Sequence, residues 1–313
     1  MSAIVTICVL TYNPDWTKLR TTLRSIICQK NIDFDIVISD DGSKIDCFDQ
    51  VKLFFQENDF HAYKLIKNVE NQGTVKNSLS ALQHTDSKYI KGISPGDFLY
   101  DENTLFDIVD FAEKNSGDAI FGNAVYYSVD EKNEIKIYDD KRNPKDLTPW
   151  IEQNYRKIRR NYFVIKDFVL GASLLCNRVV FYEFLKRLDG VVKYTEDLSI
   201  MWMIAARKKV MYYNRPFVFY EYGSGISTNT NEIWSRRIIE DLCKVAERMY
   251  ENKDISKIEF ISLTTKNRFF RIICRFILDP LYFFRLLKRT QMKNTNGNKD
   301  EIVQSLERIF NRI

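Results

Sequence analysis

Three clusters of polar residues, Thr11-Tyr12-Asn13, Asp40-Asp41-Gly42-Ser43 and Ser94-Pro95-Gly96-Asp97, each follow a short run rich in apolar and β-branched residues. Their types could do chemistry at a strand end. A carboxylate at the end of the second strand can accept the imide N–H of a uracil or thymine. Glycine there lets the backbone approach a diphosphate. Taken singly, each cluster reads as turn or helix-cap chemistry. Together they point to one ligand-binding edge, because an open parallel sheet binds ligands at the carboxyl ends of its strands. A fourth cluster, Glu196-Asp197, reads by itself as the acidic start of a helix.

The elements that must position these clusters follow from periodicity. Ile4 to Val9, Ile36 to Ile38, Tyr63 to Ile66 and Tyr89 to Ile93 read as strands. Helical spacing recurs after Pro14 (Leu19, Leu23, Ile26), over Phe48 to Phe55, and after Gly73 (Val75, Leu79, Leu82). This β-α alternation predicts a mostly parallel sheet with right-handed crossovers. Further along, the pattern predicts a helix near Leu105 to Ala112, strands at Ala119 to Tyr127 and Glu134 to Tyr138, and a mobile polar loop at Asp139 to Asn161. A strand at Phe168 to Cys176, a helix through Phe184, a helix from Thr195 to Ala206 and an extended aromatic run from Val210 to Tyr222 complete the body. Beyond Gly223 the chain reads as helical.

Composition narrows the class. Of 313 residues, 45% are hydrophobic and 28% charged, enough for a large core and against general disorder. Six scattered cysteines show no zinc spacing and suit a reduced, cytosolic chain. No leader or membrane span is legible. Residues 229–313 hold 17 Lys/Arg and 11 Asp/Glu, against 30 and 31 in the remaining 228. A positive excess confined to the tail argues against nucleic-acid binding.

The ordered set Val9-Leu10-Thr11-Tyr12-Asn13, Ile38-Ser39-Asp40-Asp41-Gly42-Ser43, Asn71-Gln72-Gly73 with Lys76-Asn77, Tyr89 to Asp97, and Thr195-Glu196-Asp197 resembles the family 2 glycosyltransferases over residues 3–228. The resemblance implies the GT-A fold, a Rossmann-like α/β architecture with a mostly parallel central sheet flanked by helices. Residues 1–228 would be the catalytic domain, with 1–100 its nucleotide-binding and 101–228 its acceptor part, and 229–313 a helical extension. It implies that Thr11 and Asp41 contact the pyrimidine, with Tyr12, Asn13 and Asp40 beside them in the donor site. Asn71, Gly73 and Lys76 would flank ribose and diphosphate, and Ser94, Gly96 and Asp97 would lie where the family holds metal and donor. Asp197 would be the catalytic base and Glu196 its neighbour. The implied activity is transfer of a hexosyl or deoxyhexosyl group, with inversion, from a UDP- or dTDP-sugar to a hydroxyl of a glycan or lipid-linked acceptor in bacterial surface polysaccharide synthesis.

One departure stands out. The family's Asp-x-Asp pair is replaced by Ser94 and Gly96, leaving Asp97 as the protein ligand for the implied Mg2+ or Mn2+. That loss motivates an alternative, a non-catalytic partner subunit of a glycan-assembly complex. A nucleotidyltransferase is disfavoured, since no Gly-rich run with a following Arg or Lys succeeds the first strand. Tyr220 to Thr228 reads either as a segment closing over the diphosphate or as a plain linker.

In the tail, Arg268, Arg271 and Arg275 share one helical face opposite Phe269, Ile272, Ile273 and Phe276, and Pro280 interrupts the helix. Residues 260–293 therefore read either as a peripheral contact with the inner face of the cell membrane or as helices packed on the body or on a second copy in a homo-oligomer.

Overall fold

The computed structural model describes residues 3–130, 132, 134–223, 232–281, 284–285 and 298–311. Four parallel strands carry the first half: β1 (Val5–Thr11), β2 (Phe34–Asp40), β3 (Tyr63–Lys67) and β4 (Tyr89–Ile93), side by side in the order β3-β2-β1-β4. Val5, Ile7, Val9, Ile36, Val37 and Ile38 are fully buried, as befits strands covered on both faces. The crossovers are α1 (Trp16–Ile27), N-capped by Asp15, α2 (Phe48–Glu57) and α3 (Thr74–Leu82), entered through Gly73. These match the alternation read from the sequence to within a few residues.

Beyond β4 the pairings become mixed. The two-residue β5 (Phe98–Leu99) and α4 (Thr104–Asn115) precede β6 (Ala119–Val129), with β7 (Ile135–Ile137) paired antiparallel to it. β8 (Leu174–Asn177) lies antiparallel to both β4 and β6, while β9 (Val210–Glu221) runs parallel to β6 and antiparallel to β5.

Two expectations are corrected. Asp139 to Asn161 is no mobile loop. It holds the short helices α5 (Thr148–Ile151) and α6 (Tyr155–Arg160) and leads into a π-helical turn at Asn161–Ile165. Its sparse apolar residues, Leu147, Trp150 and Ile158, are buried in the main core, and that anchoring overrides the polar composition. The strand expected from Phe168 is only β8, because a 3-10 turn at Gly171–Ser173 precedes it. After α7 (Arg178–Leu188), a 3-10 turn at Glu196–Leu198 opens α8 (Ser199–Ala205).

The tail folds back onto the body. From α9 (Glu232–Glu251), Leu242, Val245, Ala246 and Met249 join the core that contains Trp202, whose Nε1–H donates to Asp254 Oδ2 at 2.8 Å. α10 (Lys257–Thr264) and α11 (Arg268–Leu278) follow, and α11 stops two residues before Pro280. α12 (Lys299–Asn311) packs Ile302 and Leu306 against Phe98, Tyr127 and Phe219 at the sheet's far end. No helix among the described residues is long and apolar enough to cross a membrane. Leu306→Ala empties a site with no solvent exposure, so it should lower unfolding free energy by about 2–5 kcal/mol in urea titrations. An unchanged midpoint would show that α12 does not dock there.

Candidate active site

Asp40 and Asp41 end β2 and face different tasks. Asp40 has no exposed surface. It accepts from Thr11 Oγ1 at 2.9 Å, from Ser43 Oγ at 2.6 Å and from the Ser43 N–H at 2.7 Å, locking the ends of β1 and β2 together. Asp41 reaches across to the loop before α3. Its carboxylate accepts the Gln72 N–H at 2.9 Å, the Gly73 N–H at 2.7 Å and Asn68 Nδ2 at 3.3 Å. The turn can bring that loop so close only because residue 42 is glycine: at φ +73° a Cβ there would collide with the backbone of Glu70 and Asn71.

Asn77, rather than its exposed neighbour Lys76, braces this edge. Its side chain exchanges hydrogen bonds with Ser39 Oγ and with the Ser39 carbonyl. Tyr12 stands 54% exposed on the same rim. Asn13, at φ 45°, accepts the Lys44 N–H through its side chain and donates its own N–H to Ser43 Oγ.

The same loop carries the edge to the acid pair. Gly73, at φ +88°, leaves no room for a Cβ against the Lys193 backbone. The Lys193 carbonyl accepts the Val75 N–H at 3.2 Å, and Lys193 Nζ donates to the Asn71 carbonyl at 3.2 Å. Three residues on, Glu196 and Asp197 occupy the 3-10 turn, partly open to solvent on one side. Burial, then the adjacent Glu196 charge, push the Asp197 carboxyl up to about 7, and burial raises Glu196 as well. Gly171 packs directly on Asp197, its missing Cβ leaving 3.0 Å to the Asp197 Cβ.

The Ser94-Pro95-Gly96-Asp97 turn is gripped by α1. Thr22 Oγ1 receives the Gly96 N–H at 3.0 Å and donates to the Asp97 carbonyl at 2.9 Å. Ser94 is exposed, whereas the Asp97 carboxylate is buried and accepts the Glu221 N–H at 3.1 Å. Burial lifts Asp97 to about 7, opposed by that N–H and by Lys91.

Three residues of this geometry were given no role of their own by the sequence reading. Glu221, at the end of β9, sets its carboxylate where a Cβ on Gly96 would stand, and Lys18 from α1 holds it with two contacts of 2.7 and 2.8 Å. Lys91 lies wholly inside β4. β8 pairs with β4 only at Tyr89 and Ile90, and past that point the Lys91 ammonium donates to the carbonyls of Gly92 and Ala172. Burial pulls its pKa down to about 8, with Asp97 working against the fall. The signal for Lys91 was a lone cation inside a strand apolar on both faces. For Glu221 it was a lone carboxylate after an aromatic strand.

Among the described residues no cluster of three or more His, Cys, Asp or Glu could cage a metal. A divalent ion that shares its coordination with substrate phosphates needs only one or two carboxylates. Asp97 and Glu221 are the two carboxylates at this turn; the Glu221 oxygens, which lie where a Cβ on Gly96 would stand, are held by Lys18. Ser224 to Thr228 lies outside the described residues.

Asp41→Ala would leave the Gln72 and Gly73 N–H groups without their acceptor, at a cost of about 1–3 kcal/mol for each such group. A clear drop in the melting temperature is the expected result. A wild-type melting curve would mean that this carboxylate does not hold the loop.

Comparison with known proteins follows the same lines. S. aureus TarS 1-349, solved in complex with UDP-GlcNAc, superposes with a TM-score of 0.57 at 14% identity, covering 90% of this chain and 75% of that one. The mannosyltransferase PcManGT from Pyrobaculum calidifontis, solved in complex with GDP-Man and Mn2+, gives 0.55 at 14% identity, covering 92% and 79%. At such identities the likeness is one of fold. No curated protein sequence matches the chain. Residues 6–185, more than half of the chain, match the model of glycosyl transferase family 2, and the chain belongs to that family.

Proposed function

We propose that the protein is an inverting glycosyltransferase that uses a UDP- or dTDP-sugar and a hydroxyl acceptor on a glycan or lipid carrier in bacterial surface polysaccharide synthesis. Residues 1–228 form its catalytic unit and 229–313 a helical extension; the boundary itself lies outside the described residues. The observation that carries the reading is the contact chain from Asp41 through Gly73 and Lys193, which brings the Glu196/Asp197 pair beside the rim formed by the β1 and β2 ends. Thr11, Asp40 and Asp41 shape the base-binding end. Tyr12 offers an exposed ring there, and Asn13, Asn71, Gly73 and Lys76 line the way to the diphosphate. TarS was solved with UDP-GlcNAc and PcManGT with GDP-Man, so a nucleotide-sugar donor fits both neighbours.

The chemistry follows from the acid pair. The Asp197 carboxylate takes the proton of the acceptor hydroxyl as its oxygen bonds to C1 of the sugar. The bond from C1 to the diphosphate oxygen breaks on the opposite face, and the nucleoside diphosphate leaves with the electron pair. A base must be ionised to act, and a carboxyl raised to about 7 is ionised only above that pH. The rate should therefore fall as pH drops through about 7. Glu196→Gln removes a like charge and should shift this limb to lower pH. Asp197→Asn should cut kcat by about 100- to 10,000-fold while donor affinity by calorimetry stays intact. An active Asp197→Asn, or a rate flat across neutral pH, would overturn the assignment. Donor binding without any transfer by the wild type would favour the non-catalytic partner reading instead.

Mg2+ or Mn2+, held by Asp97 and Glu221, would supply positive charge to the leaving diphosphate. Glu221→Gln should weaken Mn2+ binding in the presence of UDP by about 10- to 100-fold, read by electron paramagnetic resonance. Equal binding by the variant, or full turnover in excess EDTA, would remove the metal from the reading.

A further inference from the structure

α11 presents its side chains in the reverse of the usual order for a helix on a soluble body. Cys274 is its one buried residue, and Arg271, Ile272, Arg275 and Leu278 are half-buried on the inward side. The outward side carries Phe269 (73% exposed), Phe270, Ile273, Phe276 and Ile277 (60% exposed). Beyond the helix, Leu281 and Phe284 (71% exposed) are also exposed. The spacing 269, 273, 276, 277 makes a single stripe along α11. The sequence showed that arginines and aromatics occupy opposite faces; only packing shows that the aromatics are the ones facing out. A stripe of this length is far beyond the scattered exposed apolar residues of an ordinary surface.

The charge around the stripe has one sign. Lys266 and Arg268 are exposed at its start, and Arg271 and Arg275 lie along its inner flank. Lys166 stands behind them, its Nζ donating to the Leu263 carbonyl at 2.7 Å, and burial followed by the charges of Arg275 and Arg271 lowers its pKa to about 8. The single acid of the stretch, Asp279, is spent on Arg285 at 2.7 Å and Arg160 at 3.9 Å. Three occupants would cover apolar surface, and the cations choose among them. A second copy in a two-fold pair would bring like-charged flanks together. A neutral apolar partner would offer nothing to the exposed Lys266 and Arg268. An anionic bilayer surface satisfies both features, because acyl chains receive the rings and phosphates receive the cations.

The geometry points to α11 as an in-plane anchor that lays Phe269, Ile273, Phe276 and Ile277 into the interface of an anionic lipid surface, with the exposed Lys266 and Arg268 at headgroup level. Tyr282, Phe283, Leu286, Leu287, Lys288, Arg289 and Lys293, which the sequence placed in the same stretch, lie outside the described residues.

Flotation of the full chain with vesicles of phosphatidylglycerol and phosphatidylcholine, and with phosphatidylcholine alone, tests the anchor. The wild type should rise with the anionic vesicles and stay behind with the neutral ones. A triple variant, Phe269→Ser, Ile273→Ser and Ile277→Ser, and a double variant, Lys266→Glu and Arg268→Glu, should each lose at least about tenfold in partitioning. Both should keep the wild-type melting temperature and donor affinity, so that failure here is separable from failure of the catalytic reading. Wild-type protein that does not float, or variants that float undiminished, would overturn the proposal. So would a concentration-dependent dimer in sedimentation velocity that the triple variant abolishes while the wild type ignores vesicles.

Discussion

The candidate site hangs from the buried carboxylate of Asp41. A carboxylate removed from water is costly unless its oxygens find donors, and the cheapest donors at a strand end are backbone N–H groups. Asp41 finds them in Gln72 and Gly73, in a loop that has no regular structure to occupy its amides. Satisfying the charge therefore fixes the loop. The fixed loop seats Gly73 against Lys193, three residues before the turn that carries Glu196 and Asp197. The whole span, from the second strand to the acid pair, is ordered by one electrostatic need and two absent side chains, at Gly42 and Gly73.

A second buried charge organises the other rim. Lys91 lies in β4 just where β8 departs, and its ammonium satisfies carbonyls on both sides of the gap. One of them belongs to Ala172, adjacent to the Gly171 that rests on Asp197, and Asp97 is close enough to oppose the fall in the Lys91 pKa. Lys91 is thus near Asp97 and bonded to the residue next to the glycine that packs on Asp197. Glu221 and Lys18 close the rim above Gly96, so the loss of the Asp-x-Asp pair from the chain is accompanied by a carboxylate arriving from a distant strand.

The two ends of the molecule treat polarity in opposite ways. In the body, buried polar residues such as Asp40, Asn77 and Trp202 are paired: Asp40 with Thr11 and Ser43, Asn77 with Ser39, Trp202 with Asp254. On α11, apolar residues come outside although buried positions exist on the same helix. The first arrangement is how a folded chain stabilises itself. The second leaves its stabilisation to be completed by a partner surface.

By itself the sequence determined the parallel half of the sheet, its three crossover helices and the strand-end polar clusters. Those rest on periodicity within a dozen residues, and the physics of a strand buried on both faces leaves a mark at that range. It also determined that Glu196 and Asp197 stand together. Tertiary structure alone decided what each polar residue meets. Nothing local distinguishes Asp40, closed on its own turn, from Asp41, which holds a loop 30 residues away, nor shows that Glu221 would stand over Gly96. The stretch from Asp139 to Asn161 misled for a related reason, because three well-separated apolar anchors suffice to bury a segment whose composition is polar. The face that α11 turns outward was equally undetermined, since an amphipathic pattern records that two faces differ, and only the neighbours they pack against settle which one meets solvent.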